Sequence, residues 1–363
     1  MPLLNFKPPK IGVDISSTSV KLVQLSKKKD RYQILALAVE KLPAGAVQGK
    51  SVTDIDAVAV AINRAVTRCR IKAKNLILAV PSSAAVSRVI RIENPGNEFE
   101  LEEQVRMEAD QHIPFPIEDV NFDFEPIETD VAGKRKRRQQ QGEDASIEVL
   151  MAATRTDHVD SRVAVAEAAG MKVDIIDIES FALQNAFATF IAPTLTPEQL
   201  LQPVALFDIG DSSITINVFI NGEIAYTREH DGGGGILTED IAAHYGISSE
   251  EAEEKKINNQ LPEDYTRKVL QPFLDTLAMN IERYLQYYYA DSHGSAVNLI
   301  LLAGGTTNTD GIVDRVYDET GIETRIANPL AQIDRGPGVS AEQIARHGSA
   351  SLIAAGLALR SFD

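Results

Sequence analysis

The sequence predicts an α/β protein of two related domains, each a βββαβαβα unit, with a small α+β subdomain inserted into the first. Three observations support this fold class. A strand-turn-strand pattern in residues 12–25 recurs in residues 206–219, so that Asp14 and Asp208 stand 194 positions apart (208 minus 14). Apolar runs of strand length alternate with helical periodicity around both copies. Between the copies, residues 81–154 are more charged and less regular.

Three strands open the first domain. The apolar runs KIGVDI and SVKLVQLS are joined by a short Ser/Thr turn, and YQILALAVEKL follows them. The segment DIDAVAVAINRAVTRC has helical periodicity, with Thr53 or Asp54 as its N-cap, and NLILAV is a further buried strand. These elements form the first part of domain I, residues 1–80.

The insert at residues 81–154 alternates like a half-exposed sheet in AVSRVIRIE, NFDFEPIE and SIEVLMAAT. The segment EFELEEQVRMEADQHI predicts a charged amphipathic helix, which the two prolines of IPFPIEDV end. A very polar loop, DVAGKRKRRQQQGEDA, separates the last two strands. The insert is therefore a small α+β unit inside a larger one.

Domain I resumes over residues 155–192 with a helix, the strand KVDIIDI and the helix SFALQNAFATFI. Domain II, residues 193–337, repeats the three-strand opening, with a hairpin turn at Asn221–Gly222, and adds a long helix and the buried strand VNLILLAGG. The helix GSASLIAAGLALR, within residues 338–363, returns to domain I. Two related domains imply a cleft between them.

Composition excludes several classes of function. A net charge of −16 argues against general affinity for nucleic acid or anionic lipid. The single cysteine, Cys69, forms no internal disulfide and favours a reducing compartment. The segment MPLLNFKPPK lacks the apolar core of a signal peptide, and no apolar run reaches the ~18 residues of a membrane span. The histidines are not at metal-ligand spacing. We therefore expect any membrane role to come through a partner.

The repeated segment carries the candidate chemistry. Each copy ends a buried strand with an aspartate and then turns through small hydroxylated residues. Such turns expose backbone N–H groups and hydroxyls to phosphate oxygens. Asp14 and Asp208 are then placed to hold Mg²⁺ through its water shell. One copy alone is explained as well by an ordinary β-hairpin, whereas two aligned copies favour a polyphosphate clamp.

On these segments the chain resembles the actin-like ATPase superfamily. The two turns resemble its phosphate hairpins, and DIESFALQNA and GSASLIAAGLALR resemble its two connecting helices. LILLAGGTTN and AEEKKI resemble the segments that contact adenosine, and DGGGGILTEDIA resembles its glycine turn beside the terminal phosphates. The resemblance implies an actin-like fold that binds ATP or ADP with Mg²⁺. The implied ATP-binding residues are Ser16, Ser17, Thr18, Lys21, Gly210, Ser212, Ser213, Gly233, Gly234, Glu253, Lys256, Gly304, Gly305 and Thr306.

The resemblance also implies a catalytic role for Glu179, at the position that orients the attacking water in chaperone and filament members. Two residues depart from the superfamily pattern. Ser16 replaces the usual glycine of the first turn, and Ser180 replaces the proline that follows the glutamate. Ser16 makes the first turn stiffer, and the departures therefore favour ATP binding over ATP turnover. A helix-capping role for Glu179 stays open beside the catalytic one.

The insert resembles that of the cell-division protein FtsA and its relatives. Within that branch, GVDISSTSVKLVQLS, QHIPFPIEDV and GMKVDIIDIESFALQNA resemble the PilM family of type IV pilus assembly. The resemblance implies a cytoplasmic scaffold at the inner membrane that binds the N-terminal tail of PilN in a groove between the insert and domain I. It also implies contact with the assembly motors and the membrane platform protein. The groove residues we expect are Ile113, Phe115, Ile117 and Glu118, beside Asp119. Packing of this segment inside the insert is the alternative.

Two further patterns are predicted to have no such role. The stretch AGAVQGKS, residues 44–51, satisfies only the loosest form of a P-loop, since alanine stands at the first glycine position and no buried strand leads directly into it. The basic run KRKRR, residues 134–138, is predicted to be a solvated loop, with a contact to anionic lipid as the alternative.

Two other classes of function remain open. An active ATPase or phosphotransferase would use turnover itself, although the sequence shows no sugar-kinase aspartate or sugar pocket. A filament-forming protein like FtsA would be expected to carry a C-terminal amphipathic membrane helix, and here LALRSFD follows the connecting helix directly.

Overall fold

The computed structural model describes residues 8–93, 97–127, 146–292 and 295–363. These residues form two compact units. The larger joins the chain up to Ala79 to Val165–Asp363, and the smaller is Val80–Ala164. The smaller unit thus ends ten residues (164 minus 154) beyond the insert boundary that the sequence predicts.

Sixteen strands and eleven helices are assigned within the described residues. The strands are β1 (Ile11–Ile15), β2 (Ser19–Lys28), β3 (Arg31–Lys41), β4 (Val47–Gln48), β5 (Ser51–Val52), β6 (Asn75–Val80), β7 (Ala85–Glu93), β8 (Val120–Pro126), β9 (Ser146–Arg155), β10 (Lys172–Ile178), β11 (Val204–Ile209), β12 (Ser213–Ile220), β13 (Glu223–Asp231), β14 (Leu299–Ala303), β15 (Glu323–Ile326) and β16 (Asp334–Arg335). The helices are α1 (Ile55–Arg68), α2 (Glu98–His112), α3 (Thr156–Ala168), α4 (Glu179–Ala186), α5 (Pro197–Leu200), α6 (Gly234–Tyr245), α7 (Ser249–Ile257), α8 (Gln271–Ser292), α9 (Ile312–Thr320), α10 (Ala341–His347) and α11 (Leu352–Leu359).

The two sheets of the larger unit have the same topology. The first has the order β10-β6-β1-β2-β3-β16 and the second the order β15-β14-β11-β12-β13. In each, three antiparallel strands are followed by a parallel strand, since β1 pairs with β6 and β11 pairs with β14 in parallel. The predicted duplication is therefore confirmed, and only the two-residue strand β16 lies outside it.

The central strands of the two large sheets are buried on both faces. β14 is a continuous apolar run and β1 is apolar except for Asp14, which is typical of strands covered by helices on either side. Each repeat packs its own apolar cluster against its sheet, around Ile62 in the first half and Tyr288 in the second. A further cluster joins residues of both halves, including Leu37, Phe187 and Phe219, whose last two rings stack at 3.7 Å between centroids.

Two helices cross beside the first sheet with almost no space between their backbones. α4 and α11 are the predicted connecting helices, and α11 is apolar on nearly all sides because it is buried throughout. A Cβ at Gly356 of α11 would overlap the carbonyl of Ala182 in α4, and one at Gly12 of β1 would overlap the backbone of Ala354. Glycine at these two positions therefore sets the distance between helices and sheet.

The smaller unit has its own sheet and core. Its three antiparallel strands have the order β7-β9-β8, so the last strand in sequence lies in the middle. One face of α2 packs on this sheet through Val105 and Ala109, which contact a cluster that includes Met151. The predicted α+β character of the insert agrees with these elements.

Replacing Gly356 with alanine tests the close helix crossing. Alanine is about 1 kcal/mol better than glycine inside a helix, but an overpacked methyl group costs about 1–3 kcal/mol, and here it meets backbone that has no rotamer to change. We expect Gly356→Ala to lower the free energy of unfolding by about 2 kcal/mol, measured by urea denaturation. Gly338→Ala is the control, because its Cβ would be 3.9 Å from the nearest atom. Equal stability of both variants would contradict the packing.

Candidate functional site

The first hairpin holds a buried ion pair at its base. Asp14 and Lys21 are cross-strand partners in β1 and β2, and the Lys21 ammonium donates to Asp14 Oδ2 at 2.8 Å. It also donates to Ser16 Oγ at 2.9 Å, and the Ser16 hydroxyl donates to the Ser19 carbonyl. Only 5% of Asp14 is exposed. The Asp14–Lys21 ion pair and the hydrogen bonds of Ser16 therefore hold this hairpin in place without a ligand.

The second hairpin faces the first across the middle of the larger unit. Asp208 ends the buried run of β11, and the Gly210 N–H donates to the Ser213 carbonyl to close the turn. The Ser212 hydroxyl donates to Ser17 Oγ at 3.3 Å. The structure therefore brings the two repeated turns together, as a clamp requires.

The glycine run after β13 docks on the second turn. The N–H groups of Gly234 and Gly235 donate to the carbonyls of Gly210 and Asp211, both at 2.9 Å. Gly233 has a φ of 148°, and a Cβ there would collide with the carbonyls of the same two residues. The first amides of α6 are therefore used to hold the hairpin, and the phosphate contact that the sequence predicts for this loop would compete with these hydrogen bonds.

The predicted adenosine segment at Gly304, Gly305 and Thr306 lies beside the second hairpin. Gly304 has a φ of 94°, and its missing Cβ leaves room for Ile209 and Asp208. A Cβ at Gly305 would have no atom within 4 Å. The Thr306 hydroxyl donates to the Gly210 carbonyl at 2.9 Å, so Thr306 is buried and braces the turn.

Glu253 and Lys256 form an ion pair on α7, as their spacing predicts, with 2.5 Å between the Lys256 ammonium and Glu253 Oε2. Both also hydrogen-bond the Thr238 hydroxyl of α6 at 2.7 Å. Burial raises the pKa of Glu253, but the hydrogen bond and charge of Lys256 outweigh it, so the pKa is lowered overall. The pair is therefore charged and fixed between two helices.

Glu179 begins α4 and lies beside a lysine that the sequence did not predict for the site. The Lys50 ammonium is 2.7 Å from Glu229 Oε2 and 3.9 Å from Glu179 Oε2. Lys50 belongs to the first half of the chain, on the hairpin of β4 and β5, whereas Glu229 belongs to β13 of the second half. This ion pair therefore joins the two halves at the site.

The two lysines and the aspartates influence one another's ionisation. Burial raises the pKa of Asp208 and Asp14 raises it further, while Lys21 and Lys50 act in the opposite direction. Burial lowers the pKa of Lys21, but Asp14, Asp208 and Glu179 raise it by more. The site thus favours a charged Lys21 and disfavours a charged Asp208, so an added cation would stabilise the ionised form of Asp208.

Sequence comparison assigns the family. The family described as type IV pilus assembly protein PilM matches residues 12–362. The chain belongs to the PilM family. The predicted resemblance to this family is therefore confirmed over nearly the whole chain.

Other comparisons agree with this assignment. The cell division protein FtsA of Bacillus subtilis is 25% identical over 267 residues, which span 70% of this chain and 58% of FtsA. A solved PilM–PilN type IV pilus biogenesis complex matches with a TM-score of 0.76 and 25% identity, covering 98% of this chain and 99% of that one. The ethanolamine utilization protein EutJ of Carboxydothermus hydrogenoformans shares the fold, with a TM-score of 0.56, 16% identity and coverage of 97% and 89%. The predicted actin-like fold is confirmed.

The insert carries the residues that we expected to bind a peptide, and the structure contradicts this expectation for Ile113. Ile113 is 6% exposed and packs in the core of the smaller unit with Val105 and Ala109. It therefore does not line a peptide-binding surface as the sequence predicted, and the alternative of internal packing holds for this residue. Ile117 is partly buried against the same core, whereas Phe115 and Glu118 are exposed.

Phe115 and Glu118 line a cavity of about 400 Å³ within the smaller unit. Arg155 lies over the Phe115 ring, 5.8 Å from its centroid, and donates to Asp157 Oδ2 at 2.8 Å. The other lining residues are Pro116, Asp119 and Thr156. The cavity therefore combines an aromatic wall with three carboxylates and one guanidinium group. Phe115, Glu118 and Asp119 were predicted from the sequence, whereas Arg155 and Asp157 were not.

The structure does not bring together a metal cage. Among the described residues, no group of three or more His, Cys, Asp or Glu side chains is arranged to hold a metal ion. The Asp14 carboxylate is engaged by Lys21, whereas Asp208 is half-buried with a raised pKa. Asp208 therefore fits a hydrated Mg²⁺ better than Asp14 does. No helix in the described ranges is long and apolar enough to cross a bilayer.

Sequence reasoning missed Lys50 and Glu229. Residues 44–51 form the β4–β5 hairpin and do not lead from a strand into a helix, so the stretch is not a P-loop, as predicted. The loose match was nevertheless the only sequence feature that pointed to Lys50. The basic run at residues 134–138 lies outside the described residues.

Replacing either repeated aspartate with asparagine is expected to change the free energy of unfolding, in opposite directions for Asp14 and Asp208. Asp14→Asn leaves the buried Lys21 without its ion-pair partner and should lower the free energy of unfolding by about 3 kcal/mol. Asp208→Asn removes a carboxylate whose pKa is higher in the folded protein, so it should raise the free energy of unfolding at neutral pH. That gain should shrink as the pH falls through the raised pKa of folded Asp208 and vanish at about pH 3, below the ordinary aspartate pKa, where the carboxyl is mostly protonated in the folded and the unfolded state.

Urea denaturation of both variants without nucleotide, at neutral pH and at about pH 3, measures these changes. A destabilised Asp208→Asn variant at neutral pH would show that the folded protein stabilises the ionised carboxylate, which would contradict burial as the dominant influence on Asp208.

Proposed function

We propose that the protein is a nucleotide-binding scaffold of type IV pilus assembly. It binds ATP or ADP between its two repeated hairpins and a cytoplasmic segment of PilN on its insert. The contact between the Ser17 and Ser212 hydroxyls carries the nucleotide part of the proposal, because it places two phosphate-type turns face to face. Membership of the PilM family supports the assembly role.

The residues around the turns supply the contacts that a polyphosphate needs. The two turns carry the hydroxyls of Ser17 and Thr18 on one side and of Ser212 and Ser213 on the other, whereas the Ser16 hydroxyl already donates to the Ser19 carbonyl and shapes the first turn. Lys21 adds a permanent positive charge to the first turn. In this proposal the Glu253–Lys256 pair and the turn at Gly304 and Gly305 hold the adenosine.

A hydrated Mg²⁺ would lie beside Asp208 and neutralise part of the phosphate charge. Asp14 orients Lys21 instead of contacting the ion directly. Glu179, at the start of α4, is the proposed group that orients a water molecule for hydrolysis. The scaffold role requires nucleotide binding and does not depend on the rate of that step.

The cavity of the insert is the proposed site for the PilN segment. Its volume of about 400 Å³ admits a few side chains of an extended peptide. Phe115 offers an apolar wall, and the carboxylates of Glu118, Asp119 and Asp157 favour a basic residue beside the apolar ones. In the solved PilM–PilN complex, PilN is the partner of a protein that is 25% identical to this chain over nearly its full length. Such a contact would hold the protein at the cytoplasmic face of the inner membrane, near the assembly motors and the membrane platform.

Nucleotide binding is tested by calorimetric titration of the full chain with ATP, with and without Mg²⁺. We expect saturable binding that Mg²⁺ strengthens, and its loss in Asp208→Asn. Loss of binding cannot be assigned to unfolding, because this variant is expected to be at least as stable without nucleotide. Asp318→Asn, an exposed surface change in α9, is the matched control. Wild-type protein that binds no nucleotide at any concentration would refute this part of the proposal.

Peptide binding is tested with the N-terminal cytoplasmic peptide of PilN and a Phe115→Asp variant. Loss of an aromatic contact in a binding pocket typically weakens affinity by about tenfold or more. Phe99→Asp is the control, since Phe99 is 70% exposed on α2 and does not line the cavity. Ile113 is unsuitable as a test because its replacement would disrupt the core of the unit. Equal affinity of wild type and Phe115→Asp would exclude this cavity as the site.

A further inference from the structure

Lys50 adopts a backbone conformation that lysine rarely takes. It follows Gly49 in a two-residue turn between β4 and β5, where Gln48 pairs with Ser51. The φ angles of Gly49 and Lys50 are 51° and 66°, which is the pattern of a type I′ turn. Glycine is the residue favoured at the second position of such a turn, because a side chain there is strained. A lysine in that place therefore needs a reason outside the turn.

The reason lies in the contacts of its side chain. The ammonium reaches across the site to Glu229 at 2.7 Å and lies 3.9 Å from Glu179. Lys50 keeps 31% of its side chain exposed, so it is accessible from the cleft, in contrast to the 13% of Lys21. Lys21 is committed to Asp14 and Ser16, whereas Lys50 contacts carboxylates on two different elements.

Sheet register explains why Glu229 points into the site. In β11, β12 and β13, Asp208 is opposite Thr215 and Thr215 is opposite Glu229. Residues directly opposite one another lie on the same face of a sheet, so Glu229 shares a face with Asp208. In the first sheet the equivalent row is Asp14, Lys21 and Val39. The second row therefore lacks a lysine of its own, and Lys50 of the first half supplies the charge.

The charges around Lys50 define what it would bind. Four carboxylates and two ammonium groups interact here, a formal charge of −2 (2 minus 4). The terminal phosphoryl group of a nucleoside triphosphate carries more negative charge than a carboxylate and would be repelled by Glu229 and Glu179. An ammonium group on a flexible stem can move from a carboxylate to such a group. ADP lacks the group that would draw it away.

We propose that Lys50 binds the terminal phosphoryl group of a nucleoside triphosphate, and that its exchange from Glu229 to this group makes the site prefer the triphosphate over the diphosphate. This inference rests on the proposed nucleotide site and adds a selectivity residue, Lys50, and a positioning residue, Glu229. Lys50 and Glu229 belong to different halves of the larger unit. When Lys50 leaves Glu229, the ion pair between these two halves is therefore broken.

The two residues are expected to change selectivity in opposite directions. In Lys50→Gly the turn gains the residue it favours, so the fold is kept, while the affinity for Mg–AMPPNP should fall about tenfold or more and that for Mg–ADP should stay nearly unchanged. Glu229→Gln removes the competing carboxylate, so the affinity for Mg–AMPPNP should rise. The double variant should bind Mg–AMPPNP more weakly than Glu229→Gln, because most of the gain from removing Glu229 comes from releasing Lys50.

Calorimetric titration of the full chain with Mg–AMPPNP and Mg–ADP measures both affinities. Lys268→Gln is the control, since it removes an exposed lysine that also forms a 2.7 Å ion pair, with Asp264. An unchanged affinity ratio in Lys50→Gly, or a fall in Glu229→Gln, would overturn the inference while leaving the nucleotide site intact. Wild-type protein that binds neither ligand would instead refute the proposed function, and this inference with it.

Discussion

The buried ion pair between Lys21 and Asp14 is the interaction on which the centre of the larger unit depends. Two charged groups at this depth are tolerated only when each satisfies the other, since an unpaired buried charge costs several kcal/mol. The pair fixes the first hairpin, and the Lys21 charge extends to Asp208 and Glu179. The second hairpin can then approach with its own carboxylate, because part of the repulsion between the two aspartates is already offset. The facing turns are thus a consequence of electrostatics as much as of the repeated fold.

Duplication produced two similar sheets but not two equivalent halves of a site. Each repeat ends its first strand with an aspartate, and the register carries that position to Lys21 in one sheet and to Thr215 in the other. In the second half, the positive charge beside Glu229 comes from Lys50, which belongs to the first half of the chain. Glycines then allow the close contacts, at Gly304 beside Asp208 and at Gly356 between the connecting helices. A nearly symmetric scaffold therefore holds an asymmetric arrangement of charges.

The smaller unit separates structural from exposed residues within one short segment. In IPFPIEDV, Ile113 turns inward and completes the core, while Phe115 remains at the surface beside Arg155. Pro114 lies between them and Pro116 follows, so the helix cannot continue, and the chain turns away from α2 after Ile113. The same sequence phrase thus stabilises the insert and lines its cavity, which explains why the pattern alone is compatible with both a binding role and internal packing.

The sequence alone determined the duplicated fold, the inserted unit and the two aspartate-ended turns, because strand periodicity and a repeated local pattern are properties of neighbouring residues. The family followed from the resemblance of short segments to known proteins. It also placed Glu253 and Lys256 together, since they are three positions apart on one helix. Only the tertiary structure decided that Asp14 is neutralised by Lys21, that Ile113 is buried, and that Lys50 meets Glu229 across 179 positions (229 minus 50). Those outcomes depend on which distant residues share a surface and on how far each is removed from water, and neither quantity is written in any local pattern.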